Sequence, residues 1–155
     1  MTVSELYEKL HSPQFQDTET DMFYNFYIFQ YPATDEYEIR RQIQVFKENL
    51  KRPASYVDTL TLDLFEEFCR FLDLQNFGKQ NPSLLRFLMQ MEAKTPDNIQ
   101  KVLSQQANSQ KFYEYIYERI QQHISIKDEM HRPYVFVYGI GDMFPYLRTN
   151  VFLTN

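Results

Sequence analysis

Three apolar runs rich in aromatic and β-branched residues narrow the possible folds more than any other feature: "MFYNFYIFQY" (22–31), "YVDTLTL" (56–62) and "YVFVY" (134–138). The first lacks strict alternation and is apolar on both faces, as a strand inside a covered sheet is. The second alternates less cleanly, with Val57, Leu60 and Leu62 as its apolar positions. Between the runs the spacing changes to that of helices, and this order decides the fold class.

Val3, Leu6, Tyr7 and Leu10 predict a helix that ends at Ser12-Pro13. Asp35 with Glu38 three residues on has the spacing of a capping box, in which each side chain satisfies a backbone amide of the first helical turn. Ile39, Ile43, Phe46 and Leu50 follow on one face until Pro53. Asp63 and Glu66 repeat the pattern ahead of "LFEEFCRFLDL". Asn81-Pro82 and Thr95-Pro96 each place a capping side chain before a proline at the first helical position. Ser109 opens a long helix with Phe112, Tyr113, Ile116, Tyr117, Ile120 and Ile124 as a broad stripe. The order strand, helix, strand, several helices, strand predicts an α/β fold: a small parallel sheet flanked by helices, Rossmann-like or P-loop-like in topology without a P-loop, with a helical insertion before the last strand. With 43% hydrophobic and 24% charged residues, the chain is read as a single α/β domain over 1–155. It stops at "VFLTN", where a doubly wound domain continues to another strand, so a C-terminal truncation is expected.

A net charge of -5 argues against wrapping a nucleic-acid backbone, which needs a positive face. Cys69, the one cysteine, lies among Phe68, Phe71 and Leu72 and reads as a small buried hydrophobe. "MTVSELYEKLHS" has no signal-type apolar core and no run has the length of a membrane span, which predicts a cytoplasmic protein.

Strand ends are where an open parallel sheet binds ligands. Asp35, Asp63 and Asp142 follow such ends and could converge on a hard cation, but helix capping accounts for them better. The glycine turn "GIGDMFPYL" lacks the lysine and the Ser/Thr of a phosphate loop. Phe144 stands at the third glycine position of a dinucleotide fingerprint, and Asp142 would repel a pyrophosphate. Both glycines are therefore expected to serve a sharp strand-to-helix turn at positive φ, with Pro145 in the first helical turn. His11, His123 and His131 have no nucleophile motif beside them. No catalytic residue, metal ligand or cofactor site is expected.

Two features suit a partner surface. Aromatic residues make up 17% of the chain, with 12 tyrosines, more than a core of this size needs. Arg40, Lys47 and Lys51 fall on nearly one line of their helix as a basic ridge, although a solvated face partly neutralised by Glu36 is the more frequent reading of such a line, by about two to one.

"FYIFQYPATDEYEIRRQIQVFKENL" and "VFVYGIGDMFPYLRTNVFL" together resemble the BrxB family, a core component of bacterial BREX phage-defence systems. The likeness rests on an aromatic strand leading through an acidic segment to an Ile-Arg helix, here Tyr27 to Phe29, Asp35, Glu36, Ile39 and Arg40. Its second part is a late strand, glycine turn and Pro-aromatic-x-Arg element: Val135 to Val137, Gly139, Gly141, Pro145, Tyr146 and Arg148. Gln30 and Ala33 depart from a stretch usually more acidic, and the helical middle carries little of the likeness. The family continues past a position like Asn155 into a further apolar strand.

The resemblance implies a role in BREX, which combines methylation of host DNA with a block on phage replication. It implies a non-catalytic adaptor that binds PglZ, the phosphatase-superfamily component, with the methyltransferase PglX as a second partner. Self-association is compatible with it; direct nucleic-acid or membrane binding is not expected. Arg40, Lys47, Lys51, Tyr115, Tyr146 and Arg148 are the candidate partner-binding residues. The alternative is a degenerate nucleotide-binding domain that senses a nucleotide or keeps a weak hydrolase activity.

Overall fold

A computed structural model describes residues 2–12, 27–52, 55–79, 83–126 and 132–154. Helix α1 (Val3–His11) starts on a capping box in which Glu5 N donates to Thr2 Oγ1 and Thr2 N to Glu5 Oε2. A 3-10 turn (Ala33–Asp35) leads into α2 (Glu36–Leu50), which buries Ile39, Ile43, Phe46 and Leu50 as the periodicity predicts. Strand β1 (Val57–Asp63) runs directly into α3 (Leu64–Leu74), and α4 (Leu84–Met91), α5 (Pro96–Ala107) and α6 (Gln110–Ile124) follow. Strand β2 (Arg132–Tyr138), a second 3-10 turn (Ile140–Met143) and α7 (Thr149–Thr154) complete the described chain.

Among the described residues β1 and β2 pair as a two-stranded parallel sheet, and four helices lie between them in the chain. This bears out the α/β class and the helical insertion before the last strand. Among the described residues no helix is long and apolar enough to cross a membrane.

Two compact units share the chain, one of Met1–Thr59 with Asp128–Tyr134 and one of Leu60–Lys127 with Val135–Asn155. In the first, α1 packs on α2 through Tyr7 and Phe46, whose rings stack at 4.8 Å. His11 is held between the Tyr7 hydroxyl at 2.9 Å and Ser55 Oγ at 2.8 Å, a structural histidine. In the second, Leu62, Leu64, Phe68, Phe71 and Leu72 meet Leu84, Leu88, Ile99, Phe112 and Ile116, and Met143 and Leu147 join the same cluster. The Phe112 ring lies 5.2 Å from Phe68 and 5.3 Å from Phe71. Each such side chain contributes about 1.5–3 kcal/mol on leaving water, so this cluster dominates the stability of its unit.

Several expectations are corrected. Of the run at 22–31, positions 22–26 lie outside the described residues, and 27–31 take no strand. Tyr31 instead donates to Glu36 Oε2 at 2.8 Å, and Ile28 is exposed. β-propensity reflects fit to a pleated, half-buried surface, which an exposed Ile28 does not have. Asp35 makes no side-chain cap: it sits in the helical region at φ -94°, ψ 0°, its carboxylate accepts from Thr34, and Arg41 and Gln42 take the Glu38 carboxylate. Asp63, with extended backbone, does cap α3, accepting from the amides of Phe65 and Glu66. Ser83, rather than Asn81, caps α4, while Asn81 and Pro82 lie outside the described residues. Pro96 stands at the start of α5 as expected, but the Thr95 hydroxyl turns back to Met91 O. On α6, Ser109 caps as expected, yet Tyr117 and Ile124 are exposed, so the buried stripe is narrower than its periodicity. Cys69 is only half-buried, and burial, then Glu66 and Asp63, push its thiol up.

Candidate functional site

The glycine turn can now be judged as a phosphate site. Gly139 takes φ 70°, the left-handed conformation expected of it, whereas Gly141 does not, and a Cβ there would meet nothing within 4 Å. Two amides of the turn are engaged within it: Asp142 N donates to Gly139 O and Phe144 N to Gly141 O, each at 3.1 Å. The Gly141 position therefore does not need its missing side chain, and these two amides are not offered to a ligand. Pro145 lies past the 3-10 turn, after the extended Phe144, and opens no helix; α7 begins four residues later. Among the described residues no three His, Cys, Asp or Glu side chains gather to hold a metal. His131 lies outside the described residues.

The strongest concentration of polar chemistry lies elsewhere, on Glu67. Position 67 falls on the apolar face of α3 between Leu64, Phe68 and Phe71, and its side chain is 2% exposed. A carboxylate so buried costs several kcal/mol unless donors surround it. Here they do: the Tyr115 hydroxyl donates to Oε2 at 2.6 Å, Arg70 Nη1 to Oε1 at 2.8 Å, and Arg119 Nη2 to Oε1 at 3.4 Å. Tyr115 and Arg119, four residues apart on α6, reach one point on α3 because i and i+4 side chains share a helix face. Burial, and then the Glu67 carboxylate, push the Tyr115 hydroxyl up to about 12. Arg119 Nε and the Tyr113 hydroxyl are buried with no hydrogen-bond partner among the described residues.

The six candidate residues divide between the units. Arg40, Lys47 and Lys51 share the end and flank of α2; Arg40 is tied to Glu36 at 2.7 Å, Lys47 is half-buried, and Lys51 is exposed just past the helix. Tyr115 and Tyr146 both pack against the cluster of the second unit, and Arg148 is exposed. Asn108 Nδ2 fixes the Tyr146 backbone by donating to its carbonyl at 2.9 Å. Glu67, Arg70 and Arg119 did not stand out in the sequence. The available signal was a glutamate on an otherwise apolar stripe, with Arg119 four residues after a tyrosine on another.

Two open grooves accompany these features. One of about 410 Å³ lies between α1 and α2 over Tyr7, Val45 and Phe46, and one of about 300 Å³ lies between α4 and α5 over Phe77, Phe87 and Met91.

Comparison with known proteins places the chain beside one curated relative. It is 27% identical over 135 residues to the BREX protein BrxB of Bacillus cereus (strain H3081.97), a match spanning 84% of this chain and 62% of that protein. This chain thus spans about three-fifths of the relative's length, and the likeness to the BrxB family read from its residues is borne out. No family model matches the chain, and no solved structure matches it.

Proposed function

We propose that the chain is a component of a BREX anti-phage system and acts as a non-catalytic adaptor that docks PglZ, with PglX as a second partner. The single observation that carries this reading is the likeness to BrxB across 84% of the chain. Surface chemistry supports it. Tyr37, Tyr117 and Phe144 are 89%, 61% and 70% exposed, and exposed aromatic rings are the side chains that protein interfaces enrich. The docking residues proposed are Arg40, Lys47 and Lys51 on one unit and Tyr115, Tyr146 and Arg148 on the other. The internal hydrogen bonds of the Asp142 and Phe144 amides, and the lack of a phosphate-loop lysine in the glycine turn, weigh against the nucleotide-binding alternative. Mixing the chain with PglZ from the same operon and separating the mixture by gel filtration tests the reading. One co-eluting species is expected; two independent peaks at micromolar concentration overturn it.

A further inference from the structure

Glu67 does more than neutralise itself. It gathers two guanidinium groups onto a single carboxylate oxygen, Arg70 at 2.8 Å and Arg119 at 3.4 Å, so the two must lie side by side. Their side chains remain 57% and 37% exposed, whereas the carboxylate below them is 2% exposed. Each guanidinium has five N–H donors. Arg70 uses two nitrogens, on Glu67 and at 3.5 Å on Glu66, and Arg119 uses one. The Nε of Arg119 is buried, so the donors it has left for a ligand are on its terminal nitrogens, and Arg70 keeps others, in a geometry fixed from beneath by Glu67, which the Tyr115 hydroxyl holds in turn at 2.6 Å.

We propose that Arg70 and Arg119 form a preorganised receptor for one carboxylate of an acidic side chain on a protein partner, with Glu67 and Tyr115 as positioning residues. A planar carboxylate fits a guanidinium fork with two parallel hydrogen bonds. Anchored arginines lose less side-chain entropy on binding than free ones, which is where preorganisation gains affinity. Glu66, Glu114 and Glu118 stand exposed on the same two helices and the whole molecule carries -5, so a single carboxylate, with one charge, meets less repulsion than a multiply charged phosphate chain. The inference rests on the reading of the chain as a protein-docking component, but its test does not involve PglZ.

The test is an NMR titration of the ¹⁵N-labelled chain, following the arginine Nε–H signals, with three probes: the capped peptide acetyl-Leu-Glu-Leu-amide, its glutamine counterpart, and inorganic phosphate. Saturable shifts of Arg70 and Arg119 are expected with the glutamate peptide, at an affinity about tenfold above that for the glutamine peptide. Tyr115→Phe should weaken peptide binding several-fold by loosening the brace. Glu66→Gln should tighten it, because the competing carboxylate on Arg70 is gone; a purely structural ion-pair network predicts no tightening. Equal shifts with both peptides, shifts that never saturate, phosphate binding more tightly than the glutamate peptide, or no gain in Glu66→Gln would each overturn the proposal. Failure here with intact capture of PglZ would remove this receptor and leave the adaptor reading standing.

Discussion

Two glutamate–arginine pairs on neighbouring segments of the sequence obey opposite rules. On α2, Glu38 accepts from Arg41 through both carboxylate oxygens at 2.7 and 2.9 Å, with both side chains more than half exposed. On α3, Glu67 accepts from Arg70 at 2.8 Å with its carboxylate out of water. The distances are almost equal and the consequences are not. Water screens the first pair and competes for its donors, so its contribution is small however good its geometry. The second has no water to fall back on, and its tyrosine and two arginines stand in for a hydration shell. Hydrogen-bond length alone therefore ranks neither pair; burial does.

Breaking the buried side gives the largest effect. Glu67→Ala removes the acceptor of Tyr115 and both arginines and leaves a small void. The arginines recover partly in water, so the loss belongs near the low end of the range for buried pairs, about 3 kcal/mol in denaturant unfolding. Tyr115→Phe removes one donor to a charged acceptor and should cost about 1.5 kcal/mol.

The same bond has a pH signature. The Tyr115 hydroxyl is raised from 10 to about 12 in the folded protein, so the folded state holds that proton more tightly than the unfolded chain. Its contribution is complete below pH 10 and is lost as pH rises through about 12. An alkaline melting series should show a larger loss in the wild type than in Tyr115→Phe, because Tyr113 and Tyr134, also pushed up by burial, titrate in both.

The glycine turn offers an effect of intermediate size. Gly139→Ala places a side chain at φ 70° and should cost about 1–2 kcal/mol, whereas Gly141→Ala should fall within about 0.5 kcal/mol of wild type. An equal loss at both would mean that the second glycine is also needed for its backbone. Smallest of all, Arg41→Ala should leave the melting temperature unchanged within error. Arg41, then Gln42, holds the Glu38 carboxyl down at about 2, so any contribution is present above pH 4.5 and fades as pH falls through about 2. Salt should erase what remains.

These contrasts also explain what the sequence could reveal. Helical faces such as Ile39, Ile43, Phe46 and Leu50 were legible because burial follows a period of 3.6, and β1 and β2 were legible as apolar runs bounded by caps and turns. The aromatic run around Tyr27 to Tyr31 was misread because composition reports what a strand would accept and says nothing about whether a ladder is there to receive it. Asp35 and Asp63 carry the same local pattern, yet only Asp63 caps. The difference lies in backbone angles: Asp35 is in the helical region at φ -94°, ψ 0°, whereas Asp63 is extended at φ -75°, ψ 112°. Glu67 escaped notice for a related reason. Its partners Tyr115 and Arg119 are 48 and 52 residues away in the chain, and no local spacing encodes that meeting.

Gel filtration of PglZ with three forms of the chain tests the central claim most directly: wild type, Arg119→Ala and Arg41→Ala. The account predicts a complex with wild type and with Arg41→Ala, and its loss or marked weakening with Arg119→Ala while that variant still melts cooperatively. PglZ eluting apart from the wild type would contradict the adaptor account; equal binding of both variants would contradict the arginine receptor alone.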